Sequence, residues 1–236
     1  MTGSVSMELS RKTGLLLKND SPFYGYPYLI SRQKRFLDLL ISTPNLTWAL
    51  PTICLLGMLV IAHDHNIPFK NVGQINPVTQ EQIPFWKIST MAKDADLDEE
   101  KFVGESKSLN EAKRNNVDTR VTPLGNILRK TSLNELPQLA SVFFGDLSLI
   151  GPRPHTRTNM QIIIKNKKEF PYSEYLQIFN GKVKFGIIGL GQVFGRSDLS
   201  LLEQTRLDVE YLKLASFKAD LRVIGLTIST ILSLKD

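Results

Sequence analysis

A long apolar run dominates the pattern of hydrophobic and polar positions in this chain. Residues 36–62 read FLDLLISTPNLTWALPTICLLGMLVIA, with Asp38 as the only charged side chain. About 20 apolar residues suffice to cross the roughly 30 Å hydrocarbon core of a bilayer. Lys34 and Arg35 precede the run, which fits a start on the cytoplasmic side under the positive-inside rule. The pattern therefore favours a membrane helix over a core helix of a soluble protein.

Two prolines interrupt the apolar run. Pro44 and Pro51 each remove a helix hydrogen-bond donor, and Pro51 lies near the middle of the longest uncharged part. A kink or a reversal is expected there. The residues alone leave two outcomes open: a kinked helix that spans the bilayer, or a helix that breaks and turns back within one leaflet.

Beyond Ile67 the apolar pieces become short and are separated by turns. Residues 69–91 predict one or two short strands, with Pro77 and Pro84 as breaks. Residues 92–116 are polar and predict helical or mobile chain, and residues 121–146 predict two helical pieces.

Two further features concern helices in this second part of the chain. Ser132 and Glu135 have the spacing of a capping box at the start of the second helical piece. The last forty residues predict two amphipathic helices. The apolar stripe of the second one packs on the domain or lies in the membrane interface, and it consists of Leu221, Ile224, Ile228 and Ile231.

Composition narrows the choice of partners. The chain has 236 residues and a formal charge of +6, which favours polyanions such as nucleotides, phospholipid surfaces or nucleic acid. No nucleic-acid recognition motif is present, so we expect no nucleic acid as partner. The single cysteine, Cys54, excludes an intramolecular disulfide and is expected to be a packed, inert thiol.

Two segments carry candidate phosphate-binding groups. In Gly151-Pro152-Arg153-Pro154, two prolines stiffen the turn that presents Arg153, and a guanidinium held in this way suits bidentate phosphate binding. In GIIGLGQVFGR, residues 186–196, small residues let backbone amides approach a nucleotide or diphosphate, with Arg196 beside them. The glycine spacing does not match the dinucleotide-binding fingerprint.

Taken in order, five motifs resemble the bacterial sugar transferases, the monotopic phosphoglycosyl transferases. They are KRFLD before the proline-interrupted run, PFWKISTMAKDAD, TRVTPLGNILRKTSLNELPQLASVFFGDLSLIGPRP, GIIGLGQVFGR, and LDVEYL. The likeness covers the chain from about Lys34 to its end. It implies a re-entrant helix in one leaflet and transfer of a phosphosugar from a nucleotide diphosphosugar to a polyprenyl phosphate.

The resemblance also implies the site residues. The family uses an Asp-Glu pair, in which the aspartate attacks the donor phosphate and Mg²⁺ offsets the diphosphate charge. In this chain Asn134-Glu135 stand at that catalytic position. Glu135 is also the expected metal ligand, Lys34, Arg35 and Pro51 are the expected membrane residues, and the substrate-binding residues expected from the motifs are Lys87, Arg129, Arg153, Gln192 and Arg196.

The amide of Asn134 leaves three explanations open, because it has no anionic oxygen and is a very poor nucleophile. Glu135 acts in its place, as nucleophile or as base for direct attack by the lipid phosphate. Alternatively, the protein is a non-catalytic relative that binds donor or lipid and acts as a regulator or scaffold. The third explanation is an engineered substrate trap, which the other departures from the family's motifs, such as Ser89 and Phe185, make less attractive.

We therefore predict an α+β fold: a mostly helical single domain with a proline-broken re-entrant membrane helix, short strands and amphipathic interface helices. We divide it into an irregular N-terminal extension at residues 1–31, the membrane-associated helix at 32–66 and a cytoplasmic sugar-transferase domain at 67–236. The expected location is the cytoplasmic face of a bacterial inner membrane. There the protein would act in polysaccharide or glycoconjugate synthesis, as a homo-oligomer or with an assembly-complex partner.

Overall fold

The computed structural model describes residues 25–75, 82–93, 95, 118, 120–155, 157–178, 182–194 and 199–233. Its helices in chain order are α1 (Tyr26–Leu29), α2 (Arg32–Asp64), α3 (Pro123–Lys130), α4 (Gln138–Phe144), α5 (Arg157–Lys165), α6 (Tyr172–Ile178), α7 (Leu190–Phe194), α8 (Leu201–Leu214) and α9 (Phe217–Ser233). The strands are β1 (Phe69–Asn71), β2 (Gln74–Ile75), β3 (Gln82–Ile83), β4 (Trp86–Ile88), β5 (Ser148–Ile150) and β6 (Gly186–Ile188).

The apolar run forms α2, a helix of 33 residues. Ser31 caps its start by accepting a hydrogen bond from the amide of Lys34, and the left-handed backbone of His65 (φ 49°) ends it. Most of its apolar surface is exposed: only 22% of its most apolar window is buried, whereas a core helix would be mostly buried. By length and composition, α2 could cross a membrane.

Both prolines lie inside α2, and the helix ends at neither. Asn45 and Thr52, each next to a proline, donate side-chain hydrogen bonds of 2.7 and 2.8 Å to the carbonyls four residues earlier. Such side-chain donors allow a helix to continue past proline in an apolar environment. The predicted break at Pro51 is therefore not an end of the helix, and the re-entrant course stays a prediction.

The exposed face of α2 is almost entirely apolar. Cys54 lies on it, so the prediction of a packed thiol was wrong. The large apolar side chains of this face are Phe36, Leu40, Trp48, Leu50, Leu55, Met58, Leu59 and Ile61. A solvated helix would carry polar residues at such positions, and a continuous apolar surface of this kind marks contact with lipid or another apolar partner.

Both ends of α2 contact the globular part of the molecule. Near the start, Asp38 accepts a 3.0 Å hydrogen bond from the backbone amide of Leu149 in β5. At the far end, Asp64 accepts a 2.9 Å hydrogen bond from the hydroxyl of Thr122, the residue that caps α3. The helix is thus tied to the same body of structure at both ends.

A buried polar network fixes the start of α2 to the C-terminal helix. The ammonium of Lys34 lies 2.6 Å from the carboxylate of Asp220, which is fully buried. That carboxylate also accepts hydrogen bonds of 2.8 Å from the hydroxyls of Tyr28 and Tyr211. Because buried charges are costly unless paired and hydrogen-bonded, this arrangement specifies how α1, α2, α8 and α9 meet.

The N-terminal residues differ from the prediction where they are described. Residues 1–24 of the predicted irregular extension lie outside the described residues. Residues 26–29, however, form a short helix, and Leu29 packs in the main core. The end of the extension therefore belongs to the folded domain.

The strands form three short pairs. β1 pairs antiparallel with β4, β2 pairs antiparallel with β3, and β5 pairs parallel with β6. The described residues between 69 and 91 thus contain four short strands where we predicted one or two. Pro84 separates β3 from β4, as expected, whereas Pro77 lies outside the described residues.

Two apolar clusters hold these elements together. The larger one surrounds the β5–β6 pair and includes residues from α5, α6, α8 and α9. The smaller one joins α2 to β4 and α3 through Leu56, Val60, Ile88 and Leu128, and Leu133 and Leu136 pack against it. The smaller cluster therefore connects the long helix directly to the segment that carries Asn134 and Glu135.

The helical predictions hold for α3, α8 and α9. Residues 94 and 96–116 of the polar segment lie outside the described residues. In α9 the predicted stripe is exposed at Leu221 and Ile228 and half-buried at Ile224. The face that packs inward carries Ala219, Asp220 and Val223 instead. Ile224 packs against the main core, while the side chain of Ile231 lies outside the described residues, so only Leu221 and Ile228 are shown to be exposed.

The buried network should contribute strongly to stability. We expect Asp220→Asn to lower the free energy of unfolding by about 3 kcal/mol, because it leaves the buried ammonium of Lys34 without its closest carboxylate. Thermal unfolding of the detergent-solubilised full chain would measure the loss. Lys213→Gln is the control, since it removes a pair with Glu174 that is partly exposed and expected to be worth at most about 1 kcal/mol. Equal losses in the two variants would contradict this account.

Candidate active site

Glu135 lies at the centre of a group of charged side chains. It ends a short 3₁₀ helix, Leu133–Glu135, and its Oε1 accepts a 2.6 Å hydrogen bond from Arg153 and a 3.1 Å hydrogen bond from Lys87. The three residues come from different parts of the chain, separated by 18 and 48 positions from Glu135. The structure thus gathers one carboxylate and two cations at one place.

The predicted capping box at Ser132 and Glu135 is wrong. Ser132 has a left-handed backbone (φ 58°), and its side chain makes no capping hydrogen bond. A box of this kind does form at Ser200 and Glu203, at the start of α8. Glu135 instead pairs with Lys87 and Arg153. A local sequence pattern cannot show whether a glutamate caps a helix or pairs with cations that are remote in sequence.

Both the backbone amide and the side chain of Arg153 donate hydrogen bonds that fix its position. Its amide donates to Asp208 at 3.4 Å, and its guanidinium donates to the carbonyl of Ile187 at 3.4 Å as well as to Glu135. A Cβ placed at Gly189 would lie 3.3 Å from the Cβ of Arg153, so the turn after β6 passes close beside it. The arginine is therefore oriented, as its place between two prolines predicts.

The positive charges of Arg153 and Lys87 determine the protonation state of Glu135. Burial by itself raises the pKa of Glu135, but the positive charges of Arg153 and then Lys87 outweigh it and lower the pKa from 4.5 to about 2. The stability that these pairs contribute is therefore present above pH 4.5 and is lost as the pH falls to about 2. Burial lowers the pKa of Lys87, while Glu135 opposes that shift and Arg153 adds to it. Glu135 is thus a permanent anion at neutral pH.

Asn134 directly precedes Glu135 in the same 3₁₀ helix and is 8% exposed. Its carboxamide is neutral, so it cannot supply the anionic oxygen of a covalent nucleophile.

Arg129 and Gln192, two further predicted substrate-binding residues, make their hydrogen bonds with groups other than Glu135. Arg129 donates to the hydroxyl of Thr90 at 2.9 Å, although its charge is close enough to lower the pKa of Lys87. Gln192 accepts a 2.8 Å hydrogen bond from the amide of Gly189 and so supports the turn beside Arg153. Arg196 lies outside the described residues.

Magnesium can be tested against the donor set. Among the described residues, no three His, Cys, Asp or Glu side chains converge as a metal site. Glu135, however, has an oxygen, Oε2, whose contact with Arg153 is long at 3.5 Å. Since Mg²⁺ is usually bound by one or two carboxylates together with substrate phosphates, the residues present fit an ion held jointly with a diphosphate.

Two buried residues support the site in a way that sequence reasoning did not find. Asp208 belongs to the LDVEYL motif, and in the structure its carboxylate accepts the hydrogen bond from the amide of Arg153. The Nε2 atom of His155 lies 3.7 Å from Asp208. Burial raises the pKa of Asp208 well above its ordinary value, and burial and then Arg153 lower the pKa of His155 to about 4. Only the position of His155 next to the Gly-Pro-Arg-Pro turn could have suggested a role.

Comparison with known proteins gives a consistent result. The chain is 29% identical over 220 residues to UDP-glucose:undecaprenyl-phosphate glucose-1-phosphate transferase of Escherichia coli (strain K12), which is 89% of this chain and 41% of the relative. It is 29% identical to galactosyl transferase CpsE of Streptococcus agalactiae serotype III (strain NEM316), over 89% of this chain and 44% of the relative. It is 38% identical over 115 residues to the uncharacterized sugar transferase EpsL of Bacillus subtilis (strain 168), or 49% of this chain and 52% of the relative.

These matches show both the likeness and its extent. The chain spans less than half of the length of the first two relatives. The family model described as bacterial sugar transferase matches residues 29–234, nearly the whole chain and every described part of the candidate site. Because this match covers most of the chain and the motifs follow the order of the family, the chain belongs to the bacterial sugar transferase family.

Proposed function

We propose that this protein transfers a phosphosugar from a nucleotide diphosphosugar to a polyprenyl phosphate at a membrane surface, as the first step of polysaccharide or glycoconjugate synthesis. The observation that carries this proposal is the carboxylate of Glu135 between Arg153 and Lys87, on a segment that packs against the apolar helix α2. Such a place lets a water-soluble donor and a lipid acceptor meet. Two of the relatives are named as sugar-phosphate transferases that act with undecaprenyl phosphate, which supports the same chemistry.

Arg153 and Lys87 are the groups that bind the donor's diphosphate. A guanidinium binds phosphate oxygens in pairs and an ammonium binds them as a point charge. Before donor binds, Glu135 pairs with both cations and offsets one of their two positive charges. When the diphosphate binds, it competes with Glu135 for the hydrogen bonds of Arg153 and Lys87. Oxygens of the Glu135 carboxylate then become available to a metal ion. When bound, Mg²⁺ would be held by Glu135 and the diphosphate oxygens and would offset the negative charge there.

The chemical step in this chain is a direct displacement. An oxygen of the lipid phosphate attacks the phosphorus next to the sugar, and the bond from that phosphorus to the bridging oxygen breaks. The nucleoside monophosphate leaves with that oxygen and its electron pair, and a polyprenyl diphosphosugar remains. The amide of Asn134 forms no covalent intermediate. Glu135, with a pKa of about 2, is a poor general base, so its part is to position cations.

Asn134 favours a second candidate function. A family member with a neutral amide at the nucleophile's position could bind donor or lipid phosphate without turnover and serve as a regulator or scaffold of an assembly complex. The ion pairs of Glu135 suit phosphate binding in either case. Turnover of the purified protein separates the two candidates.

We expect the purified chain, with Mg²⁺, polyprenyl phosphate and a panel of nucleotide sugars, to release nucleoside monophosphate only when the lipid phosphate is present. Asn134→Asp should raise turnover roughly a hundredfold or more, because it restores an anionic nucleophile. It should also release up to one equivalent of nucleoside monophosphate without acceptor. Asn126→Asp adds the same charge on an exposed position of α3 and should change neither quantity.

The outcomes distinguish the candidates. Acceptor-independent release by the unaltered chain would contradict the direct displacement. Release by Asn134→Asp alone would support the non-catalytic candidate. Failure of both proteins to bind any donor would contradict both.

Donor affinity should depend on Arg153. We expect Arg153→Gln to weaken binding of the nucleotide sugar about 10- to 100-fold, since a hydrogen bond to a charged group contributes about 1.5–3 kcal/mol. Titration calorimetry with Mg²⁺ and the full chain in detergent would measure it. Arg32→Gln removes the same charge at an exposed position at the start of α2 and is the control. Equal affinities of the two variants would exclude Arg153 from the donor site.

We further propose that α2 enters and leaves the bilayer on the same, cytoplasmic side. The contacts of Asp38 and Asp64 with one globular body support this course, because a helix that crossed would leave its ends on opposite sides. Single cysteines at Arg32 and His65, both exposed, test it in a Cys54→Ser background. A membrane-impermeant maleimide should label both from the cytoplasmic side of oriented vesicles and neither from the other side. Labelling from opposite sides would show a spanning helix.

A further inference from the structure

A second cluster of cations lies at the start of α2, away from Glu135. A cavity of about 270 Å³ is lined there by side chains from α1, α2, β5 and the loop before β6. Its basic residues are Lys34, Arg35, Lys182 and Lys184, against the single carboxylate of Asp38. Lys34 is already paired with Asp220, so the excess positive charge of the lining comes from Arg35, Lys182 and Lys184.

The cations in this cavity are partly fixed by the fold. Arg35 donates hydrogen bonds of 2.5 and 2.6 Å to the carbonyls of Val142 and Phe143 at the end of α4. A Cβ placed at Gly145 would lie 3.3 Å from the ammonium of Lys184 and 3.4 Å from the guanidinium of Arg35. Burial lowers the pKa of Lys184 and the charge of Arg35 lowers it further, while the carboxylates of Asp38 and Asp146 oppose this shift without cancelling it. Two like charges are thus held close together, and an anion between them would relieve their repulsion.

This cavity is separate from the candidate active site. Lys184 precedes β6, whereas Arg153 lies beside Gly189, which follows β6. None of the residues that line the cavity is Glu135, Lys87 or Arg153. Its volume of about 270 Å³ lies just below the roughly 300–1,000 Å³ of pockets that enclose whole drug-sized ligands. A phosphate-bearing headgroup fits this cavity better than a whole nucleotide sugar.

The surroundings favour a lipid as the source of the phosphate. Ile30, which lines the cavity, is 48% exposed, and Phe144, next to Gly145, is 77% exposed. The cavity opens where the apolar helix α2 begins, so a headgroup bound in it would have acyl chains beside an apolar surface. Basic residues next to a membrane segment bind anionic lipids, each strengthening binding by about fivefold.

We propose that this cavity binds the headgroup of an anionic phospholipid and thereby sets the depth and orientation of α2 at the membrane surface. The inference rests on the proposed membrane placement of α2, but not on turnover. Lys182 and Lys184 are the residues to test, because Lys34 and Arg35 also hold the fold together.

Thermal unfolding of the full chain in an uncharged detergent provides the test. The probes are a short-chain phosphatidylglycerol, the phosphatidylcholine with the same chains, and inorganic phosphate. Near saturation we expect phosphatidylglycerol to raise the midpoint by about 5–10 °C and the other two probes to change it little. The double variant K182Q/K184Q should lose most of this rise.

Two control variants keep the test specific. K167Q/K168Q removes the same charge at exposed positions after α5 and should keep the full response. K184R retains the charge in the cavity and should also respond. An equal rise with phosphatidylcholine, an unchanged rise in K182Q/K184Q, or a full rise with inorganic phosphate alone would each overturn the proposal.

Flotation on uncharged vesicles distinguishes failure of the lipid site from failure of the membrane placement. The unaltered chain and K182Q/K184Q should both float, because α2 supplies the apolar contact. If neither binds the vesicles, the placement of α2 in a membrane is wrong. If both bind and the phosphatidylglycerol response is absent, only the headgroup site is wrong.

Discussion

The ion pair between Lys34 and Asp220 is the constraint on which the arrangement of this molecule depends. It joins the first turn of the apolar helix to the C-terminal helix across 186 positions of sequence, in a place where both charges are buried. An unpaired charge there would be strongly unfavourable, so the pair excludes arrangements in which α2 separates from the globular part. The contact of Asp64 with Thr122 does the same at the far end. A helix with an apolar exposed face is thereby kept against a charged domain.

The position of the candidate site follows from this arrangement. Leu56 and Val60 of α2 pack with Ile88 of β4, and Lys87 of the same strand pairs with Glu135. The apolar contacts and the charged contacts are thus adjacent. Such a site can exchange ion pairs within the protein for ion pairs with a phosphate, since the cations are already oriented and the reorganisation is small. The same logic applies at the start of α2, where a second set of cations adjoins the apolar surface.

Much of the local structure could be predicted. The length of the apolar run and the periodicity of the last forty residues gave α2, α8 and α9, because these signals need only neighbouring residues. Shorter elements were less predictable: four strands of two or three residues appeared where one or two were expected. At Ser132 and Glu135 the local pattern misled, because ion pairs to Lys87 and Arg153 outweighed the cap.

By itself, the sequence determined the family, the apolar helix and the unusual amide of Asn134, since motif order, hydrophobic length and residue identity are properties of the chain. Only the tertiary structure decided that Glu135 is held between two cations, that Asp208 lies behind Arg153, and that basic residues far apart in sequence line one cavity. Charges act over short distances through space, and the distances between residues remote in sequence are fixed only when the chain has packed.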